Sequence, residues 1–463
     1  MTFRIICLTG TAVCLLWLLQ ATAQTAPADG PAGLWERANL LGDMDGLRTS
    51  LSSYGISIGL TETSEVLGNL TGGVRRGADY DGVTTMSLGL DTGKALHWSG
   101  GTFYISALQI HGRGINADNL DNLQTASNIE GDRATRLYDL WFQQAFPGGR
   151  ADLKIGQQDV SEEFIVSRCC SLFLNSAMGW PALPAADLYA GGPVYPLSSP
   201  GVRLRLQPSR SLTFLGGVFD DNPPGGPFND DSQLRGAEAA GVRFNLNTGA
   251  LIIAELQYDL SPVCNNGSNT GSLPGTYKLG AWYDTASFPD QRSDTTGLSL
   301  ANPAGSGVAR MHRGNFSIYG IADQMVWQKS GGPRSVSAFA RIYGAPSDRN
   351  LVDWSLNAGV DLNAPLRGRK GDTFGIGYGW AHVSGRAAEI DRDTGFFTSA
   401  AYPVRTAEHF IELTYRYQVA PWCTVQPDLQ YIINPGGGLP NPRNPSRRIG
   451  NELVFGLRTI VTF

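Results

Sequence analysis

The side chains in this sequence best placed to do chemistry are charged or aromatic residues set two apart within short apolar segments. Lys154 stands between Leu153 and Ile155, and Arg203 and Arg205 interleave with Val202, Leu204 and Leu206. Arg243 follows Val242, Glu255 follows Ala254, and Glu412 and Arg416 flank Leu413 and Tyr415. Asp428 precedes Leu429, Arg458 follows Leu457, and Asp139 lies between Tyr138 and Leu140, with Arg113 just after the run Tyr104, Leu108 and Ile110. In an extended strand alternate side chains point to opposite faces, so each segment has one apolar face and one face carrying these charges. Both signs occur on the polar face, unlike the single-sign filter that phosphate or cations require. Of the 36 basic residues only five are lysine, and the planar arginine fork can hold a carboxylate and a hydroxyl together. With Trp141 and Trp180 as flat surfaces, the set suits weak recognition of an uncharged, hydroxyl-rich solute, which needs donors, acceptors and apolar faces. Some of these charges need do no more than solvate a water-filled wall.

Other chemistries find little support. Ser52, Ser53 and His97 can be named, but no Gly-x-Ser-x-Gly elbow sits in a strand–turn–helix context. The histidines at 97, 111, 312, 382 and 409 form no His-Glu-x-x-His pair. No catalysis, cofactor or metal is expected. With a formal net charge of −5 and no dense Lys/Arg field, nucleic acid is not an expected partner.

The elements that must position these residues are read from the two ends inward. Arg4, the apolar run Ile5–Leu19 and the small-x-small Ala21-Thr22-Ala23 have the layout of a cleaved secretory signal, with the cut after Ala23. Residues 24–54 then repeat apolar side chains (Leu34, Trp35, Ala38, Leu41, Leu47, Leu51) at roughly helical spacing, which predicts short leader or rim helices. From Gly55 the period becomes two and persists to the end. Ile252, Ala254, Leu256 and Tyr258 oppose Glu255, Gln257 and Asp259; Trp354, Leu356, Ala358 and Val360 oppose Asp353, Asn357 and Asp361.

A large soluble sheet with one wet face would alternate in the same way. Aromatics near segment ends and charges in segment centres favour a transmembrane wall with a watery interior. In lipid an open sheet edge is prohibitive, so such strands close into a barrel. The last segment runs Leu453, Phe455, Leu457, Val461 and Phe463 along one side, and Phe455 and Phe463 resemble the terminal assembly signal of outer-membrane proteins. The expected fold is therefore all-β, an antiparallel transmembrane barrel over 55–463.

Short connections (147–149, 208–209, 247–249, 419–421) alternate with long ones (159–199, 220–234, 285–313, 383–405, 434–448), as tight periplasmic turns alternate with outer loops. Seventeen periodic segments can be counted, whereas a chain with both ends on one side needs an even number. Sidedness traced from the two ends conflicts between 259 and 314. Sixteen strands are expected, and eighteen remain open. Residues 159–199 are too apolar for a solvated loop, with Phe164, Ile165, Phe173, Leu174, Met178, Trp180 and Leu183 among those needing cover, so this loop is expected to fold inward and narrow the lumen. Cys7 and Cys14 leave with the signal; Cys169, Cys170, Cys264 and Cys423 are even in number and read as a structural staple of undetermined pairing.

Several stretches resemble the carbohydrate-selective porin family, the OprB-type outer-membrane proteins. They are Leu40-Leu41-Gly42-Asp43 with Gly46-Leu47-Arg48; Leu153-Lys154-Ile155-Gly156-Gln157-Gln158-Asp159 followed by Phe173-Leu174-Asn175-Ser176-Ala177; Ser199-Pro200-Gly201-Val202-Arg203; and Pro427-Asp428-Leu429-Gln430-Tyr431 through Gly436. The resemblance implies a sixteen-stranded barrel that passes glucose and other small sugars in the outer membrane of a Gram-negative bacterium. A general small-solute porin or a polysaccharide exporter is the alternative. The implied partners are sugars, outer-membrane lipid and lipopolysaccharide, and the outer-membrane assembly machinery. A second copy of the chain stays open as a partner, because lipid-facing and subunit-facing surfaces carry the same pattern. The adjacent Cys169 and Cys170 and the long stretch between 284 and 314 depart from the family pattern.

Overall fold

The computed structural model describes residues 33–228, 230, 232–260 and 273–463. The proposed signal, residues 1–23, and the leader up to residue 32 lie outside them. Sixteen antiparallel strands close into one barrel. They are β1 (Ile56–Gly73), β2 (Gly77–Asp91), β3 (Gly101–Gly112), β4 (Thr135–Ala145), β5 (Ala151–Gln158), β6 (Ser199–Leu206), β7 (Leu212–Asp220), β8 (Ala250–Leu260), β9 (Gly275–Asp294), β10 (Ala309–Gln328), β11 (Ser335–Gly344), β12 (Val352–Asn363), β13 (Thr373–Val383), β14 (Ala407–Ala420), β15 (Cys423–Ile433) and the closing strand Gly450–Thr462. The closing strand pairs with β1 in the register Thr61↔Thr462 to Leu67↔Gly456, so no barrel edge is left open.

The even count removes the conflict in the sequence reading. The segment Val242–Leu246 alternates like a strand but lies in the connection 221–249, and Asn247-Thr248-Gly249 belongs to that outer loop rather than to a periplasmic turn. With that segment removed, β8 descends and β9 ascends as one strand of 20 residues. The long stretch expected over 285–313 is mostly wall, with only 295–308 between β9 and β10.

Outside, Ile155, Leu279 and Ile318 are more than half exposed, and Val66, Ile252, Trp354, Val360, Ile376 and Phe455 continue the apolar surface around the barrel. A surface this extensive and apolar fits a lipid environment. At the end where the chain enters and leaves the barrel, the helix Leu47–Ser53 and the turns before it sit on the rim. Leu40 N–H donates to the Thr462 carbonyl at 2.8 Å, Phe463 N–H to Leu60 at 2.9 Å, and Arg48 to the carbonyls of Ile58 at 3.0 Å and Phe463 at 2.5 Å. Trp35 stacks on Trp422 at 6.2 Å.

The interior is not uniformly polar. Leu215, Phe219, Leu251, Ile253, Trp282, Tyr319 and Tyr343 on β7–β11 are buried on the inner face. On β3, Leu108 and Ile110 turn inward and pack with Val83 and Tyr138 beneath Ile129 and Tyr195, not outward as their spacing suggests. These strands are apolar on both sides because their inner faces support loops. Among the described residues Cys169, Cys170 and Cys423 are free, and Cys264 lies outside them, so these three form no staple. Cys169 and Cys170 are buried under the inward loop, and burial pushes the Cys170 thiol up to about 12.

Candidate functional site: the loop-narrowed lumen

Residues 159–198 connect β5 to β6 and lie inside the barrel. Local turns shape them: Asp159 accepts from Ser161 N–H at 2.7 Å, and Asn175 caps the short helix Ser176–Gly179 through Ala177 N–H at 3.0 Å. Irregular backbone at this depth needs partners, because an unpaired buried N–H or C=O costs as much as a lost hydrogen bond. The wall supplies them. Glu255 accepts from Ile165 N–H at 2.9 Å, Asp323 from Arg168 N–H at 3.0 Å, and Glu412 from Leu174 and Asn175 N–H at 2.6 and 3.2 Å. Arg341, fully buried on β11, donates to the carbonyls of Ala177 at 2.6 Å and Gly179 at 3.1 Å. From the loop side, Asp187 accepts from Leu351 N–H at 2.6 Å, and burial raises its carboxyl well above the ordinary range.

Shape matches these bonds. Phe164, Ile165, Trp180, Leu183 and Leu188 pack on the apolar inner faces of β7–β11. Opposite, Gly375 and Gly377 leave room for the loop. A Cβ at Gly375 would lie 2.6 Å from Leu172, and one at Gly377 2.6 Å from Met178 and 2.8 Å from Phe173.

A second loop, 113–134, also enters the lumen. Glu408 accepts from Leu123 and Gln124 N–H, both at 2.8 Å, and Gln430 donates to the Ala126 carbonyl at 2.8 Å. Its polar composition hid this from the sequence reading; Ile129 packs against the inward-turned Leu108 and Ile110.

The structure separates the residues named from the sequence. Arg203, at 2% exposed, is ion-paired with Asp152 and Glu163, and Lys154 pairs with the same Glu163. Glu255 and Glu412 hold the inward loop, and Arg458 joins Glu65 at 2.6 Å and Asn128 at 2.7 Å. Asp139 accepts from Ser106 at 2.7 Å and Asp428 from Gln430 at 3.0 Å, both buried. Trp141 lies between Tyr104, stacked at 5.0 Å, and the Lys154 ammonium 4.5 Å from its ring. Trp180 is 9% exposed and donates to Gly191 at 2.9 Å. Neither indole presents an open face. Arg416, near the end of β14, approaches Thr373 at 3.4 Å.

Besides Trp180, which the sequence already put in the loop, two of the named residues are not on the wall. Arg113 lies past the end of β3, largely exposed and paired with Asp118 at 2.8 Å, because the strand stops at Gly112. Arg243 belongs to the outer loop, where the alternation around it is not paired into the sheet.

Arg205 does border open space. It lines a cleft with Glu162, Glu163 and Arg168 from the loop and with Gln257, Asp259, Lys278 and Asp323 from β8–β10. Thr213, Thr276, Val166 and Leu215 complete it. Arg205 is steadied by Asp152 at 2.5 Å, and Lys278 lies 3.4 Å from Glu255. Burial opposes ionisation of Glu163, but Lys154 and Arg203 outweigh it and hold its carboxyl below the usual value. Glu162 is the reverse: burial, reinforced by Asp139, raises it well above. Side by side the loop therefore offers two carboxyl groups whose environments push them in opposite directions, facing cationic and amide groups on the wall. Arg168, exposed on a loop without periodicity, gave no sequence signal; Gln257 and Asp259 were legible as inward positions.

Comparison with known proteins agrees with this geometry. A family model described as carbohydrate-selective porin, OprB family, matches residues 75–463. Porin B of Pseudomonas aeruginosa is 26% identical, over 96% of this chain and 95% of that protein. The putative porin QuiX of Acinetobacter baylyi is 24% identical, over 87% and 90%. The high-pH structure of Pseudomonas putida OprB shares the fold, with a TM-score of 0.80 at 24% identity over 93% of this chain and 100% of that one. The chain belongs to the carbohydrate-selective porin, OprB family.

Proposed function

We propose that the protein is a passive diffusion channel of the Gram-negative outer membrane that selects small sugars where residues 159–198 narrow the lumen. The observation that carries this reading is the cleft between that loop and β6–β10, lined by acidic and basic groups on both sides: Glu162, Glu163 and Arg168 on the loop, and Arg205, Lys278 and Asp259 on the wall. A sugar offers hydroxyls that both donate and accept, and this lining can answer both. Each such hydrogen bond contributes roughly 0.5–1.5 kcal/mol net. Weak, divided binding suits a channel, because a tight site would trap its solute. A polysaccharide exporter calls for a wide, unobstructed lumen, and two loops occupy this one.

Two finer points belong to the same proposal. Residues 1–23 are removed on export, so N-terminal sequencing of the membrane-inserted protein should begin at Gln24; retention of Met1 would refute it. The end of the chain at Phe463 is read by the assembly machinery. The channel reading is tested by single-channel recording with glucose added in steps. The current should fall with sugar in the parent, and the block should weaken in Arg168→Ala and in Arg205→Ala. A current indifferent to glucose would leave only a general small-solute pore.

A further inference from the structure

A separate cleft lies on the side of the molecule opposite the termini, between the top of the β9–β10 hairpin and the helix Gly385–Thr398 that connects β13 to β14. Arg292, Arg310 and Arg386 line it, with Asp393, Asn302, Phe396 and Phe397; Asp393 is taken up by Arg292, and Arg386 lies 3.6 Å from Glu389 on its own helix. Arg292 fixes the helix by pairing with Asp393 at 2.7 Å and Glu389 at 2.9 Å. The helix leaves β13, four strands from β9 in the sheet order, and returns to β14, so by pairing with Arg292 it leans across the channel mouth.

Two features of the cleft are unexplained by folding. Arg310 is exposed, and among the described residues no hydrogen bond or ion pair engages its guanidinium. Phe396 is 77% exposed on an otherwise polar helix end, with the Phe397 ring 5.1 Å away. A free guanidinium beside an uncovered aromatic face is a complementary pair for one kind of solute: an anionic group on a body with hydroxyls and an apolar C–H face.

We infer that this outer cleft is a capture site for sugar acids, in which Arg310 and Arg386 receive the carboxylate, Phe396 stacks on the C–H face and Asn302 meets the hydroxyls. It adds to the neutral-sugar reading of the inner cleft and rests on it only in assuming that solutes enter from this side. Electrostatic attraction at the mouth raises the local concentration of such solutes before they reach the narrowing.

The test uses the full-length detergent-solubilised barrel, gluconate as the anionic probe and glucose as the neutral one. Isothermal titration should give tighter binding of gluconate than of glucose in the parent. Arg310→Ala should weaken gluconate at least fivefold and Phe396→Ala should weaken it several-fold, while glucose block of single channels stays at the parental value in both. Unchanged heat-dependent gel mobility checks that each variant folds. The inference is overturned if the parent does not bind gluconate, if both variants bind it as the parent does, or if Arg205→Ala alone abolishes it, which would place the anion in the inner cleft. Loss of glucose block in the parent would instead refute the neutral-sugar reading and leave the gluconate comparison intact.

Discussion

Replacing Arg341 with methionine probes how the inward loop is held. The guanidinium sits on β11 beneath the loop and donates to Ala177 at 2.6 Å and Gly179 at 3.1 Å, with Asn357 at 3.0 Å and, at the longer 3.4 Å, the Ile165 carbonyl as further acceptors. Methionine keeps the length of the stem and removes the donors. Hydrogen bonds from a charged donor are worth roughly 1.5–3 kcal/mol each, so the two shorter bonds to the loop, to Ala177 and Gly179, amount to about 3–6 kcal/mol. Relief of the buried charge returns part of that, and water in the lumen can satisfy the freed carbonyls, leaving about 2–3 kcal/mol. At 1.4 kcal/mol per factor of ten, opening of the loop should become roughly 30- to 150-fold more frequent. Hydrogen exchange read by mass spectrometry should show that acceleration in peptides covering 165–180, with the closing strand 450–462 unchanged. Parental protection across 165–180 would refute the idea that Arg341 fastens the loop.

Three further outcomes are expected. Gly377→Val forces a side chain against Met178 and Phe173, an overpacking of about 1–3 kcal/mol, and should shift single-channel conductance while the barrel still assembles; an unaltered conductance would count against the close packing. Burial raises the Glu130 carboxyl to about 7, against the opposing Asn116 N–H. Because this folded value exceeds the ordinary 4.5, the stability that protonation gives the 113–134 loop is complete below about pH 4.5 and is lost as pH rises through 7. Proteolysis in that loop should therefore be faster at pH 8 than at pH 5, a contrast that Glu130→Gln should reduce. Deleting Phe463 removes its bond to Leu60 and the carbonyl that receives Arg48, so inserted protein in cells should fall more than the thermal stability of barrels refolded in detergent; normal amounts in the membrane would contradict the assembly role.

Much of the wall was legible because lipid outside and water inside impose a strict period of two. Arg203, Arg205, Glu255 and Asp428 were placed inward correctly by parity. The same rule misled where a wall residue serves a loop. Leu108 and Ile110 look lipid-facing but are covered from within, and Val242–Leu246 alternates without pairing to any barrel strand. The site was less legible than the wall. Parity says that Glu412 and Arg458 point inward, but not that loop amides and Glu65 already claim them. The open cleft depends on which wall charges the loops leave unspent, and that is decided by contacts between residues 40 to 393 positions apart, such as Arg168 with Asp323. One trace of the packing was present in the sequence: Gly375-Ile376-Gly377-Tyr378-Gly379 alternates glycine with lipid-facing residues, a lane kept free of side chains for Phe173 and Met178.

The central claim is that the narrowed lumen selects by chemistry as well as by size. Swelling of proteoliposomes containing the purified barrel measures it directly, with glucose and arabinose compared against serine, a smaller neutral solute. Selectivity in the loop cleft predicts that the sugars enter at least as fast as serine despite their bulk, and that Arg168→Ala with Arg205→Ala lowers the sugar rates while leaving the serine rate alone. Entry rates ordered by molecular size alone, the same in parent and variant, would contradict it.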